Sequence, residues 1–473
     1  MITLSKTDFI QYLNCPKSLW LMHNKPSSYP HGEFSDYAKK LAAEGYLVED
    51  YVKQLINEGG NSETYSFQRE FETDDGLYAK ADMVLQNDDG SIDLFEIKSS
   101  TSVKDSNPHN QLKDAAFQVI AATRSGEKIR NIFIVHLNGG YERQGDIDPK
   151  ELLVFADETI RVKALVAETD DEISEALSLL RLTEIDESSC TCLHLSKSNH
   201  CDSFDYFNPN VPKPSIYSLP RLSASKRELF VSESRFSLDE ITPDEVTRLQ
   251  RPVLISHQSN EPYIDLAVVE DFISSARYPI YYLDYETYAS AIPITNGTSP
   301  QGQLPFQFSL HVEEENGDLE HHEFLANSPE LPLAMIEKMQ EVIGSVGSVV
   351  SWNKSFENSQ NQRMANTYPD KAEFLLDIID RTIDLMDVFK TGYVDIKFGG
   401  STSIKKVLPV IVPELSYDGM EVADGTGAMD AWSKMLNEKN TEEQNKLKNA
   451  LLGYCELDTL AMVKIFEFVR RLV

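Results

Sequence analysis

Apolar and polar positions follow two rhythms along this chain, and the switches between them mark its elements. Near the start, Phe9, Tyr12 and Leu13 recur at helical spacing behind Ser5, a residue type that caps helix N-termini, and Pro16 interrupts the run. A second helix is expected over about 34–56. The pattern then turns extended. Ala81-Asp82-Met83-Val84 and Leu94-Phe95-Glu96-Ile97-Lys98 read as paired strands around the turn residues Asn87-Asp88-Asp89-Gly90. Helical spacing returns over Asn110 to Ile120, Ile132 to Leu137 reads as a buried strand, and an acidic helix is expected from Asp157 to Leu182. Prolines 209, 212 and 214 mark a linker. Short helices follow from Leu222 to Val268, with Pro243 and Pro252 as breaks. The last third opens on a strand, Tyr278 to Thr287, and closes on a helix through Tyr454 whose apolar positions include Leu451, Leu460 and Ile465. The expectation is an α/β protein in three parts: 1–210, a helical connector 211–275, and 276–473.

The hairpin carries chemistry. Side chains alternate along a strand, so Glu96 and Lys98 point the same way, with Asp82 on the neighbouring strand. Two carboxylates and an ammonium so placed could hold Mg²⁺ or Mn²⁺, hard cations that take oxygen ligands and lower the pKa of a bound water. The competing description is a half-exposed hairpin with a charged outer face. In the last third, Asp284 and Glu286 share one strand face, and Tyr454 and Asp458, four apart, share a helical face. Cys190, Cys192 and Cys201 cluster in a polar loop with His194 and His200 nearby, a density of thiols that points to a metal.

Together these motifs resemble known nucleases. Asp82 and Glu96-Ile97-Lys98, after a helix bearing Gly45 and Glu49, resemble the RecB-type branch of the PD-(D/E)XK superfamily, which includes CRISPR-adaptation nucleases. The usual proline of the first motif is absent. The resemblance implies a restriction-endonuclease-like fold in which Glu49, Asp82 and Glu96 bind metal, Lys98 is catalytic, and Gln118 binds substrate. The Ser5 to Cys15-Pro16 opening is similar to iron–sulfur members of that branch. It implies that Cys15 joins Cys190, Cys192 and Cys201 around a [4Fe–4S] cluster. The Cys-x-Cys-x8-Cys spacing departs from their commoner form, so the alternatives are zinc, with His194 or His200 as a substitute ligand, and no metal.

Asp284-x-Glu286, Asn353-x2-Phe356-Glu357 and Tyr454-x3-Asp458 resemble the DnaQ-like DEDDy 3′–5′ exonucleases of the RNase H-like fold. There Asp284, Glu286, Glu357 and Asp458 would bind two divalent ions and Tyr454 would orient the attacking water. Glu357 stands where that family has aspartate. Stretches such as Leu304–His311 and Ser403–Pro409 resemble an uncharacterised bacterial family that fuses both modules.

Charge complicates this picture. The net charge is −32, with 44 Lys and Arg against 76 Asp and Glu, and nucleic-acid affinity rests on neutralising phosphates. Such a surface needs positive potential focused in a cleft, metals, or a protein partner that supplies a basic surface. Five cysteines argue for a reducing compartment, no apolar run approaches the ~18 residues that span a bilayer, and the start lacks a signal-peptide layout. A cytoplasmic protein without membrane association is expected. The function expected is metal-dependent hydrolysis of nucleic acid, DNA ahead of RNA, in repair, recombination or defence. The alternatives are a catalytically degenerate scaffold that binds nucleic acid or protein, and an RNA-processing exonuclease.

Overall fold

The computed structural model describes residues 2–32, 36–60, 64–106 and 109–473, with the side chains of residues 36 and 37 left out. It is a mixed α/β protein of two compact units. Met1–Asn210 and Ser290–Gly302 form the first, and Val211–Ala289 and Gln303–Val473 the second.

Among the described residues the first unit has six strands: β1 (Leu4–Ser5), β2 (Tyr65–Glu72), β3 (Leu77–Gln86), β4 (Ser91–Ile97), β5 (Lys128–Leu137) and β6 (Leu153–Asp157). β3 pairs antiparallel with β2 and with β4, and β1 lies parallel on the start of β3. β4 pairs parallel with β5, and β6 closes antiparallel on β5. Four helices matter here: α1 (Lys6–Asn14), α2 (Pro16–Asn24), α3 (Asp36–Glu58) and α4 (Gln111–Arg124). Ser5 caps α1 through a reciprocal box with Asp8, which satisfies backbone donors at the helix start. Pro16 does not simply break the first helix; it begins α2, where its missing N–H costs nothing. The residues at 34 and 35, expected to open the second helix, lie outside those described.

Strand alternation sorts the core into two faces. Ile92 and Leu94 of β4 pack with Phe9 of α1, Phe117 of α4 and Ile173 of the acidic helix Thr159–Leu180. Phe95 packs on the other side with Val48 and Val52 of α3. Glu96, two positions on from Leu94, therefore faces α1 and α4.

The segment Ser290–Gly302 departs from the expected part 276–473. Ala291 and Ile292 are buried among Val52, Phe95 and Leu152, and Arg143 Nη1 donates to the Pro293 carbonyl at 3.0 Å. Burial of these apolar side chains draws the segment into the first unit.

The second unit contains β7 (Tyr263–Ile264), β8 (Ile280–Tyr288), β9 (Leu304–Glu313), β10 (Leu319–Leu325), β11 (Ser348–Ser351), β12 (Thr382–Asp384) and β13 (Tyr393–Val394). The larger sheet runs β10-β9-β8-β11-β12, with β11 parallel to both β8 and β12 and the remaining pairs antiparallel. Residues 211–275, expected as a separate connector, belong to this unit. Val269 and Phe272 pack on the C-terminal helix Thr441–Arg470, and β7 pairs with β13. Pro243 and Pro252 sit in the first turns of short helices, so they start elements rather than break them.

β8 is the central strand, and its two faces feed separate cores. Tyr281, Leu283 and Tyr285 pack against helices Leu333–Val342 and Ser355–Thr367, whereas Ile280 and Tyr282 pack against the C-terminal helix. Asp284 and Glu286 continue the second of these faces. Among the described residues, no helix is long and apolar enough to cross a membrane.

Candidate metal centres

Three groups of side chains matter, one in the second unit and two in the first. In the second unit, Asp284, Glu286 and Asp458 each offer a carboxylate oxygen within 4.8 Å of the others. Alternation along β8 and the four-residue spacing of Tyr454 and Asp458 on the C-terminal helix aim all of these at one place. Among the described residues none of the three acids has an ion-pair partner. Asp284 accepts a long bond from Cys455 Sγ at 3.7 Å, and Asp458 accepts from the Tyr417 hydroxyl at 2.6 Å.

Burial and mutual repulsion leave these acids reluctant to ionise. Burial, then the nearby Asp458, raises Asp284 well above the usual carboxylate range. The same causes push Glu286 up to about 8. Burial raises Asp458 to about 6, against the pull of hydrogen bonds from Tyr417 and Tyr454. Burial and the Asp458 charge keep the Tyr454 phenol protonated, so it acts as a donor. Lys405 stands over the rings of Tyr417 and Tyr454, 5.6 and 5.4 Å from their centroids, and donates to the Ala423 carbonyl. A compact set of carboxylate oxygens with no ion-pair partner among the described residues fits a hard divalent ion.

Glu357 is not in this group. It is buried at the start of helix Ser355–Thr367, its Oε2 has no hydrogen-bond partner, and burial pushes it up to about 8. It lies close enough to raise Asp284, but it is outside the ligand spacing of the other three. Glu357 therefore stands beside Asp284 and outside the spacing of a single shared ion. Asp384, at the end of β12, went unnoticed in the sequence; its Oδ1 accepts from the Asn353 backbone at 2.9 Å and anchors that loop.

In the first unit, Asp82, Glu96 and Lys98 come together. Glu96 Oε1 accepts from Lys98 Nζ at 2.7 Å and from Lys6 Nζ at 2.6 Å, and Lys98 also reaches Asp114 Oδ2 at 2.9 Å. Asp82 Oδ2 accepts from the Ile97 backbone at 2.8 Å. Burial and the neighbouring Glu96 raise Asp82 to about 7. Glu96 is itself buried, yet Lys6 and Lys98 hold it well below the usual range. Two carboxylates are in place for a metal. No third acid, histidine or cysteine joins them within ligand spacing among the described residues.

Two expected members have other roles. Gln118 is buried on α4 and donates to Glu96 Oε2, so it orients that carboxylate and is not open to substrate. Glu49 bonds Gln68 Nε2 at 2.8 Å and Lys53 Nζ at 3.0 Å. Gln68 lies between the Phe67–Met83 and Arg69–Ala81 pairs of the β2–β3 register, where its backbone takes a positive φ. Lys6 is the residue the sequence did not disclose.

The third group is Cys15, Cys190, Cys192 and Cys201, whose sulfurs all lie within 4.8 Å of one another. Cys15 occupies the joint between α1 and α2. Hydrogen bonds from Cys15 and the other thiols lower Cys190, and Asn208 Nδ2 donates to its sulfur at 3.4 Å. His194 and His200 are not part of the group; the His200 ring stacks on Phe204 with centroids 3.6 Å apart.

Comparison with known proteins adds family context without a function. Residues 281–403 match a domain of unknown function, DUF2779. The chain is 31% identical over 213 residues to the uncharacterised protein MG366 of Mycoplasma genitalium, covering 41% of this chain and 32% of that one. It is 29% identical over 211 residues to the homologue in Mycoplasma pneumoniae, again covering 32% of it. The chain thus spans about a third of the length of these relatives. The crystal structure of SSO0001 aligns over 37% of this chain and 76% of that one, at 15% identity and a TM-score of 0.21.

Proposed function

We propose that the protein is a divalent-metal-dependent nuclease that hydrolyses phosphodiester bonds, with DNA ahead of RNA. In this reading the first unit is a RecB-like PD-(D/E)XK domain and the second an RNase H-like, DnaQ-type exonuclease domain. The observation that carries it is the trio Asp284, Glu286 and Asp458, three converging acids with no ion-pair partner among the described residues. Concentrating buried negative charge is costly for a fold, and a bound cation relieves that cost.

Mg²⁺ or Mn²⁺ at this trio would supply a Lewis acid and an acidified water. The chain's own residues do the rest. Asp284 and Glu286 are fixed by the central strand, and Asp458 is oriented by Tyr417. The protonated Tyr454 hydroxyl can hold a water by hydrogen bonding, and Lys405 adds positive charge in a strongly acidic protein. The net charge of −32 supports a role for a basic protein partner in gripping the polymer.

Two observations favour a second reading, a scaffold that no longer cleaves. Glu96 already carries two lysines, and Glu357 stands apart from the trio. One experiment separates the two. Full-length protein is incubated with end-labelled single- and double-stranded DNA and RNA in Mn²⁺, Mg²⁺ or EDTA. The nuclease reading expects metal-dependent products, one set of which drops at least a thousandfold or so in Asp284→Asn. Products that survive EDTA, or a product pattern that Asp284→Asn leaves wholly unchanged, would defeat the assignment of this trio.

A further inference from the structure

We infer that Cys15, Cys190, Cys192 and Cys201 hold a single structural zinc ion, not the four-iron cluster that resemblance implied. The argument is one of spacing. Four thiolates bonded to one zinc at about 2.3 Å form a tetrahedron whose corners are about 3.8 Å apart. A cubane bonds each thiolate to a different iron, which spreads the four sulfurs to on the order of 6 Å. Here every sulfur lies within 4.8 Å of the others, a shell that suits one ion and is too narrow for a cage of irons and sulfides.

The surroundings agree with a closed structural site. Cys15, Cys190 and Cys192 are buried, and all four corners are filled by protein, which leaves no open position for catalysis. Soft thiolates in a tetrahedron select zinc over hard cations. Asn208, which donates to Cys190 Sγ, is an outer partner of the kind that steadies a thiolate ligand. The histidines are not needed to complete the set.

Its mechanical role follows from chain position. Cys15 sits between α1 and α2, and the other three thiols follow the acidic helix Thr159–Leu180. The same two regions are stitched by Trp20 Nε1 donating to the Leu182 carbonyl at 2.8 Å and by Lys25 pairing with Glu187 at 2.6 Å. A zinc ion there ties α1 and α2 to the stretch after the acidic helix, and its binding free energy is then folding free energy. Cys201 also lines a cavity of about 540 Å³, which gives a chelator a route to the ion.

The test is elemental analysis of the full-length protein, purified anaerobically without metal supplements, with absorption spectra alongside. The expected result is about one zinc per chain, little iron, and no broad thiolate-to-iron absorption near about 400 nm. Exchange with Co²⁺ should give the intense visible bands of a tetrahedral tetrathiolate site. Cys201→Ser, at the least buried position, should hold zinc at least about tenfold more weakly against a chelator. If that variant does not fold, the cobalt spectrum of the wild type still decides. About four irons with sulfide, a single tightly held iron, or a protein that neither carries nor takes up zinc would each overturn the inference.

Discussion

Lys6 Nζ stands 2.6 Å from Glu96 Oε1, although ninety residues separate the two in sequence. The cap at Ser5 fixes where α1 begins, and Lys6 is its first residue, so the ammonium is held in place. Lys98 reaches the same oxygen, which gives a single buried carboxylate two cationic partners.

Removing Lys6 should therefore be felt without metal and compensated with it. Lys6→Met leaves Glu96 one partner short and should destabilise the metal-free protein by about 1–3 kcal/mol. Mn²⁺ should then raise its melting temperature more than it raises that of the wild type, because a cation is now missing beside Glu96. Lys6→Arg should behave like the wild type. Equal melting of Lys6→Met and wild type in EDTA would show that the contact carries no stability.

How much of this was legible in the sequence depends on the range of the contact. The Asp82 and Glu96 strands, Asp284 with Glu286, and Tyr454 with Asp458 depend on local periodicity, and the observed β3, β4, β8 and C-terminal helix follow it. Lys6 on Glu96, Tyr417 on Asp458 and Gln68 on Glu49 join residues from distant elements. No periodicity encodes such pairs; they exist only once the sheets are assembled. The segment Ser290–Gly302 is similar, since its place is decided by the core that Ala291 and Ile292 enter. Sulfur spacing is likewise absent from a sequence, which counts cysteines but does not measure the distance between them.

Glu357 should be separable from the trio. If it is a neighbour and not a ligand, Glu357→Gln should change Mn²⁺ affinity at the second unit by less than about threefold, whereas Asp458→Asn should weaken it more than about tenfold. The amide also removes a buried carboxyl with an unpartnered oxygen, so Glu357→Gln should melt no lower than wild type above pH 8, where the acid, raised to about 8, would ionise. Calorimetric titration with Mn²⁺ checks the first point. A loss as large as that of Asp458→Asn would make Glu357 a ligand after all.

The raised acids of the second unit set a pH dependence of known sign. Glu286 titrates at about 8 and Asp458 at about 6 in the fold, both above their ordinary values near 4. The folded state thus holds protons that the unfolded chain has released. Their stabilising contribution is complete below about pH 4 and is lost as pH rises through 6 to 8. In EDTA, the wild type should lose melting temperature over that window more steeply than Glu286→Gln. A divalent ion replaces the protons, so the gain from Mn²⁺ should grow with pH. Parallel melting curves for both proteins would contradict the assignment of the shift to this site.

The two acid sites should act independently. Asp82 and Glu96 come from strands of the first unit, and Asp284, Glu286 and Asp458 from the second, with no ligand in common. Contributions from sites that share no partner add unless one site feeds the other. Loss of one metal ligand should cost several kcal/mol of barrier, about a thousandfold or more in rate. Asp82→Asn is expected to remove one metal-dependent product pattern and Asp284→Asn a different one, each sparing the other. The double variant should be inert but folded, since neither substitution leaves a new charge in a core. Product lengths on end-labelled substrates, compared across the wild type, both single variants and the double, give the answer. If Asp82→Asn changes nothing while Asp284→Asn removes every product, cleavage belongs to the second unit, and the lysines on Glu96 hold a site that no longer cuts. If each substitution on its own removes every product, the two centres work on one substrate in sequence.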